Sequence, residues 1–290
     1  MSGSFCTRSF PVFLLLSLLI AAPAAAQTAV PAAPPSQPAQ DPSADLQTNV
    51  AQPDFTLSAL PTTLRLPKGK FSFRLTHRFT RPIAEGDVGD FFADFFGFDS
   101  SARIGLELRY GLLPGTQVLV HRTNDRTIQF AGQHQFLRFA RNPAAPGVVD
   151  AVVAIEGGNN FSEDFSGTVG AAISKEFAGR GAVYLQPLMV FNTRPLNSTD
   201  PDEHTFLLGV GGRLRLWQSR AYVVFEAAPQ VAGYNEGIDH VSFGIETRAG
   251  GHVFQFTIAN ALGTTYRQIA RGGEQSGDWY IGFNLSRKFY

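Results

Sequence analysis

The sequence has almost no cysteine and no apolar run long enough for a membrane helix. Its only cysteine, Cys6, precedes an apolar run from Phe10 to Ala22, shorter than the ~20 residues that a membrane-spanning helix needs. We predict that residues 1–26 are a secretory signal peptide, cleaved after Ala26. The mature chain would then have no thiol, which excludes disulfides, thiolate nucleophiles and cysteine metal sites.

Neither sign of charge dominates the chain, which holds 24 Lys and Arg against 24 Asp and Glu. Cleavage after Ala26 would remove Arg8 and no acid. Nucleic-acid-binding proteins carry a basic patch or stripe. A balanced charge therefore predicts no nucleic-acid partner.

Residues 27–62 are rich in alanine, proline and glutamine and have few large apolar side chains. Such a segment buries too little apolar surface to offset the entropy of ordering. We predict a disordered periplasmic leader that acts as a linker. Binding of the leader to peptidoglycan or to an inner-membrane partner is the alternative.

After Pro67 the hydrophobic pattern has a period of two, and it keeps this period to the last residue. In KFSFRLTHRF, residues 70–79, apolar side chains alternate with polar or basic ones, and residues 102–112 repeat the pattern. Alternation of this kind indicates strands with one apolar and one polar face. We predict further strands near 116–122, 127–139, 148–157, 168–177, 182–192, 203–217, 220–232, 240–249, 252–259 and 277–290.

The fold class that these strands predict is all-β: a single antiparallel transmembrane β-barrel of about twelve strands over residues 63–290. Ten or fourteen strands are the alternatives. The odd-numbered connections average about 11 residues and the even-numbered ones about 4, as in bacterial barrels with long outer loops and short periplasmic turns. A soluble β-sandwich, the rival fold, gives no reason for this asymmetry.

The last strand ends in alternating apolar residues and a doubled aromatic, namely Phe283, Leu285, Phe289 and Tyr290, with Arg287 interrupting the apolar face. This pattern resembles the C-terminal signal by which the barrel-insertion machinery recognises outer-membrane barrels. We also predict that aromatic residues near strand ends form girdles at the membrane interfaces. These are Phe79, Tyr110, Phe139, Phe177, Trp217 and Tyr266.

Four segments carry a resemblance to a known family: RLPKGKFSFRLTHRF, FFGFDSSARIGLELRYGL, HRTNDRTIQFAGQHQFLR and VDAVVAIEGGNNFS. They resemble an uncharacterised family of bacterial membrane-bound β-barrel domains, a domain of unknown function. The resemblance spans Leu66 to the C-terminus and implies a barrel in the outer membrane of a Gram-negative bacterium. It implies no catalytic or binding residue.

Charged residues on the polar faces of the strands are predicted to line the lumen, because each would cost ~2–4 kcal/mol if it faced lipid near the bilayer midplane. They are Arg74, Arg78, Arg103, Glu107, Arg109, Glu156, Glu176, Arg213, Arg215, Glu226, Glu246 and Arg248. Two interpretations stay open: a hydrogen-bonded lattice that fills the lumen, or a polar conduit that selects solutes by charge.

The first outer loop has an unusual run of aromatic residues: Phe91, Phe92, Phe95, Phe96 and Phe98. Their spacing suits one face of a short helix. Such a face is predicted to plug the barrel mouth, to lie on the outer leaflet, or to receive an apolar ligand. The nearby aspartates lack the ligand spacing of a calcium loop.

Histidines occur at 77, 121, 134, 204, 240 and 252, but no hydrolase or metalloprotease motif surrounds them. We therefore predict a protein that is not an enzyme and has no cofactor and no metal. The favoured function is a passive or gated outer-membrane channel for an unidentified small solute, with outer-membrane lipid as the other partner and both mature termini in the periplasm. A closed structural or adhesive barrel, whose outer loops bind a partner, is the alternative, and an outer-membrane hydrolase is less favoured.

Overall fold

The structure of the protein is a computed structural model. It describes residues 49–85, 101–140, 142, 145–177, 179–195, 198–216, 220–273 and 275–289. The predicted signal peptide and most of the predicted leader lie outside these residues. Within the described ranges, no helix combines the length and the hydropathy that a bilayer-spanning helix requires.

Thirteen strands form one antiparallel sheet. They are β1 (Phe71–Phe79), β2 (Ala102–Leu113), β3 (Thr116–Thr123), β4 (Ile128–Phe139), β5 (Gly147–Gly158), β6 (Glu163–Glu176), β7 (Gly181–Val190), β8 (Thr205–Arg215), β9 (Ala221–Ala228), β10 (Gln230–Gly233), β11 (His240–Ala249), β12 (His252–Ala259) and β13 (Tyr280–Phe289).

The wall of the barrel has twelve strands, because β9 and β10 are two parts of one strand that pairs with β8 along its length. Pro229 separates the two parts. Proline has no backbone N–H and cannot donate to a ladder, but its carbonyl still accepts a 3.0 Å hydrogen bond from the Leu208 N–H. The predicted number of strands is confirmed.

The barrel is closed, because β1 pairs with β2 on one side and with β13 on the other. Phe71 on β1 lies opposite Tyr110 of β2 and Phe289 of β13. Closure gives every strand two neighbours, so no edge is left with unpaired backbone groups.

The two faces of the wall differ in polarity. Exposed side chains on the outside are large and apolar, such as Leu108, Phe130 and Ile245, whereas polar side chains alternate with them on the inside. Of the predicted girdle aromatics, Tyr110, Phe139 and Phe177 are exposed. The prediction was wrong for Phe79 and Tyr266, which are buried, and Trp217 lies outside the described residues.

The connections differ in length between the two ends of the barrel. Six connections lie at one end, which we call the long-loop end: 80–101, 191–204 and 260–279 are long, and 124–127, 159–162 and 234–239 are shorter. The connections 114–115, 140–146, 177–180, 216–220 and 250–251 lie at the other, the short-turn end.

The predicted leader, residues 27–62, was wrong for its last part. Residues 49–66 fold into the barrel and are buried almost throughout, from Ala51 to Leu64 and at Leu66. We call residues 49–66 the lumen segment. The composition argument failed here because the wall supplies the buried surface and the hydrogen bonds that the segment lacks on its own.

A second insert comes from the long-loop end. Within the connection between β12 and β13, Tyr266–Arg271 form a short helix, α1, whose N-cap is Thr265 and whose capping box includes Gln268. Ile269 and Ala270 are fully buried. The lumen is thus filled from both ends.

The outward position of the apolar face can be tested with a charge at two depths. Ile245, in the middle of β11, and Leu113, at the end of β2, are exposed by 61% and 51%. Ile245→Arg should destabilise the folded protein by about 2–4 kcal/mol in lipid vesicles, and the matched Leu113→Arg by about 0–1 kcal/mol, because the cost of a charge falls toward the interface. Urea unfolding followed by tryptophan fluorescence measures both. Equal losses would contradict the membrane-facing assignment.

Candidate functional site: the filled lumen

The structure places most of the predicted lumen charges inside the wall. The buried ones are Arg74, Arg78, Glu107, Arg109, Glu156, Glu176, Arg213, Glu226 and Glu246. Arg103, Arg215 and Arg248 are half-buried and lie near the strand ends.

Many of these charges are paired with one another. Nη2 of Arg213 lies 2.8 Å from Oε2 of Glu246, and Nη2 of Arg109 lies 2.8 Å from Oε1 of Glu107. Buried charges that lack partners are very costly. The ion pairs therefore let the wall carry charge inside a barrel from which the inserts exclude most solvent.

The lumen segment is a hairpin that enters from the short-turn end and returns to it. Asn49 donates to Glu176 at the end of β6, and Lys288 near the end of β13 donates to the carbonyl of Pro53. A tight turn follows, in which the Leu57 N–H donates to the carbonyl of Leu60 over 2.9 Å. The second limb runs back to β1.

Glu226 of β9 binds the tip of this hairpin. Its carboxylate accepts hydrogen bonds from the backbone N–H groups of Ser58, Ala59 and Leu60, over 3.0, 3.1 and 2.9 Å to Oε2. Nε2 of His240 lies 2.9 Å from the other oxygen, Oε1. Hydrogen bonds to a charged acceptor are stronger than neutral ones, so Glu226 is the strongest single attachment of the tip.

Neutral amide side chains hold the rest of the hairpin by its backbone carbonyls. Their acceptors belong to residues 57, 58, 61, 62 and 64 of the lumen segment, over 2.6–3.1 Å. The donors are Gln117, Gln133, Gln186, Gln255 and Asn284. Sequence analysis missed them, although each lies on the polar face of its strand.

Two cations enclose the one aromatic ring of the lumen segment. The guanidinium carbon of Arg109 and the Nζ of Lys288 each lie 5.2 Å from the centre of the Phe55 ring. Cations at such distances are attracted to the face of an aromatic ring. Phe55 therefore packs between two cations as well as with the apolar side chains of Leu64 and Leu66 of the same segment.

The two inserts share one apolar cluster in the middle of the barrel. Ala59 and Leu60 of the hairpin belong to it together with Tyr266, Ile269 and Ala270 of the α1 region. Its wall residues include Leu188, Val190 and Leu207. Removal of either insert would expose the apolar surface of the other.

Glu156 of β5 holds α1 as Glu226 holds the hairpin. Its carboxylate accepts hydrogen bonds from the Thr265 hydroxyl over 2.9 Å and from Nε of Arg267 over 3.2 Å. Gln129 of β4 accepts the Tyr266 N–H over 2.8 Å. Asp164 of β6 also pairs with Arg267, over 2.7 Å, so side chains from three neighbouring strands hold α1.

A cavity of about 740 Å³ opens at the long-loop end, between α1 and the neighbouring connections. Its charged lining consists of Arg103, Asp125, Glu163, Asp164, Glu236, Arg267 and Arg271. Burial tends to raise the pKa of Asp125, but the Thr123 hydroxyl and the charge of Arg103 together hold it below its usual value. Charges of both signs thus face the mouth of the barrel.

Other predicted site residues have separate positions. Phe283, Leu285 and Phe289 lie on the outward face of β13, whereas Tyr290 and the aromatic residues at 91, 92, 95, 96 and 98 lie outside the described residues. Within the described part of the chain, no group of three or more His, Cys, Asp or Glu could hold a metal ion. Nδ1 of His240 has no hydrogen-bond partner among the described residues.

Comparison with known proteins identifies the family. Residues 54–289 match the family described as Membrane bound beta barrel domain (DUF5777). The chain belongs to this family. The match begins at Asp54 and therefore includes the hairpin of the lumen segment as well as the wall, and the family resemblance predicted from the sequence is confirmed.

Among solved structures, this membrane-bound barrel domain is similar to the COG4313 outer membrane channel from Pseudomonas putida F1, at 13% identity and a TM-score of 0.47, over 78% of this chain and 98% of that one. It is also similar to the outer-membrane expressed OmpT of Vibrio cholerae, at 13% identity and a TM-score of 0.26, over 79% and 99% of the two chains. At these scores neither structure bears on the function of this barrel. A comparison with curated proteins yields no match.

Loss of the Glu226 charge should loosen the hairpin. Glu226→Gln leaves one acceptor oxygen and places an N–H₂ group near three N–H donors. We expect about a tenfold faster maleimide reaction of a reporter Ala59→Cys, made in a Cys6→Ser background, since a hydrogen bond to a charged group contributes ~1.5–3 kcal/mol.

The matched control is Glu156→Gln, because Glu156 bonds to α1 and makes no hydrogen bond to the lumen segment as the structure describes it. That variant should accelerate labelling of the reporter by about twofold or less, because it removes no hydrogen bond of the hairpin and can act on it only through the apolar cluster shared with α1. Equal acceleration in both variants would show that Glu226 has no special hold on the hairpin.

Proposed function

We propose that this membrane-bound barrel is a gated outer-membrane channel for an unidentified small polar solute, and that the lumen segment is its gate. The observation that carries the proposal is how the segment is attached. In the described residues, its backbone groups bond to wall side chains and to each other, and it adds no strand to the sheet. The wall is closed without it.

The same polar side chains could bind water if the hairpin left. Gln117, Gln133 and Asn284 now bond to the carbonyls of the segment, and ordered water can replace such partners at little enthalpic cost. A barrel of twelve strands is wider than a barrel of eight strands, whose interior is filled by the side chains of its own wall. The chemistry of the lumen therefore favours a polar solute over an apolar one.

The lengths of the connections support an orientation of the barrel in the membrane. We place the short-turn end in the periplasm, because bacterial barrels have short periplasmic turns and long outer loops. Both mature termini would then be periplasmic. The leader before Asn49 would connect the gate to that compartment, where a pull or a binding partner could act on it.

A reversible crosslink tests the gate in the full-length protein. The hydroxyls of Thr63 and Ser174 lie 2.5 Å apart, so cysteines at these positions should form a disulfide between the lumen segment and β6. In planar bilayers, oxidised Thr63→Cys/Ser174→Cys, in a Cys6→Ser background, should show about tenfold less open time than after reduction, because a disulfide removes freedom of the crosslinked segment.

The two single-cysteine variants are the controls, and their conductance should not respond to reductant. Current that is equal in the oxidised and reduced double variant would overturn the gate. Gel mobility with and without heating shows whether each protein is folded before it is measured.

A closed structural or adhesive barrel is the second candidate. The specific observation in its favour is that two inserts meet in one apolar cluster. It predicts no current from the reduced double variant or from Glu226→Gln, and loss of partner binding when the connection 191–204 is shortened. A hydrolase has no support from an activated hydroxyl in the described part of the lumen.

A further inference from the structure

The exposed charges at the short-turn end are all of one sign within the described part of that end. They are Lys68, Lys70, Arg138, Lys175, Arg180 and Arg220, which we call the basic rim. The acid that follows Lys175 in the sequence, Glu176, is buried and accepts hydrogen bonds from Asn49 and Gln52, each over 2.6 Å. No described acid neutralises the basic rim from outside.

The long-loop end has the opposite balance. Its exposed charges include Asp125, Glu163, Asp202 and Glu236. Arginines are also exposed there, at positions 122 and 126, next to Asp125. The chain as a whole is neutral, so the excess positive charge at the short-turn end reflects a separation of charge along the barrel axis.

Large apolar side chains lie at the same level as the basic rim. Phe139, Phe177 and Phe289 are exposed at the short-turn ends of β4, β6 and β13. Lys175 lies two residues before Phe177, and both are exposed. Aromatic and basic side chains at one depth are typical of the level of lipid headgroups.

We propose that the basic rim binds the phosphate groups of anionic phospholipids in the leaflet that surrounds the short-turn end. Each Lys or Arg near an anionic surface gains roughly a fivefold preference for it. The apolar side chains beside the rim favour a lipid over a soluble anion, because they place the cations at the membrane interface. Lipid binding at the basic rim does not require that the barrel conducts. If the short-turn end is periplasmic, as in the proposed orientation, this leaflet is the periplasmic one.

Spin-labelled lipids test the proposal in phosphatidylcholine bilayers that contain the full-length protein. We expect labelled phosphatidylglycerol to associate about fivefold more strongly than labelled phosphatidylcholine at about 0.05 M salt. The preference should approach one at about 0.5 M salt, where exposed charges are screened within a few ångströms. Equal association of the two lipids at low salt would overturn the proposal.

A pair of double variants separates the rim from charge in general. Arg180→Gln with Arg220→Gln removes two rim charges whose guanidinium groups form no ion pair or hydrogen bond with described residues, so the fold should persist. The preference should fall to about three- to fourfold, because two of the six rim cations no longer attract the labelled lipid. The control, Arg122→Gln with Arg126→Gln, removes two exposed arginines from the other end and should keep the full preference. An equal fall in both pairs would overturn the assignment to the rim.

Discussion

The absence of water in the hydrocarbon core is the constraint on which the rest of this structure depends. A backbone N–H or C=O without a partner costs several kcal/mol there, so the wall must close, and β13 pairs with β1 to close it. A closed wall has one face toward lipid and one toward the lumen. Because side chains alternate along each strand, every apolar residue that faces lipid is followed by one that faces inward. The polar lumen is thus a consequence of closure.

A polar lumen must then satisfy its own charges and amides. The barrel does so in two ways: ion pairs within the wall, such as Arg213 with Glu246, and wall side chains that bond to inserted backbone, such as Glu226 with the hairpin tip. Leu60 of the hairpin and Ile269 of α1 belong to one apolar cluster. The hairpin and α1 are therefore energetically coupled through this cluster, even though they enter from opposite ends.

Sequence analysis predicted the wall well, because alternation is a local signal that repeats twelve times. The bounds of β11 and β12 agree with the prediction at both ends, whereas β6 begins earlier than predicted, at Glu163. The lumen segment was missed for a physical reason: its order comes from residues far along the chain, such as Gln133 and Glu226. Phe55, Leu57 and Leu60 were visible in the sequence, but a short apolar stretch among prolines does not reveal that a wall surrounds it. The amide donors were missed because the lumen residues were predicted from their charge, and glutamine and asparagine side chains are neutral.

The hairpin has a mechanical property that follows from where its ends lie. Both limbs open toward the short-turn end, and the bonds from Asn49 to Glu176 and from Lys288 to Pro53 come first along the chain. A force applied to the chain before Asn49 would load these bonds one after another, and would reach the Glu226 contact at the turn after the entering limb had peeled away. Attachments that break in series yield at a lower force than the same attachments loaded together, so the segment can be stable at rest and still be weak against a pull from one side.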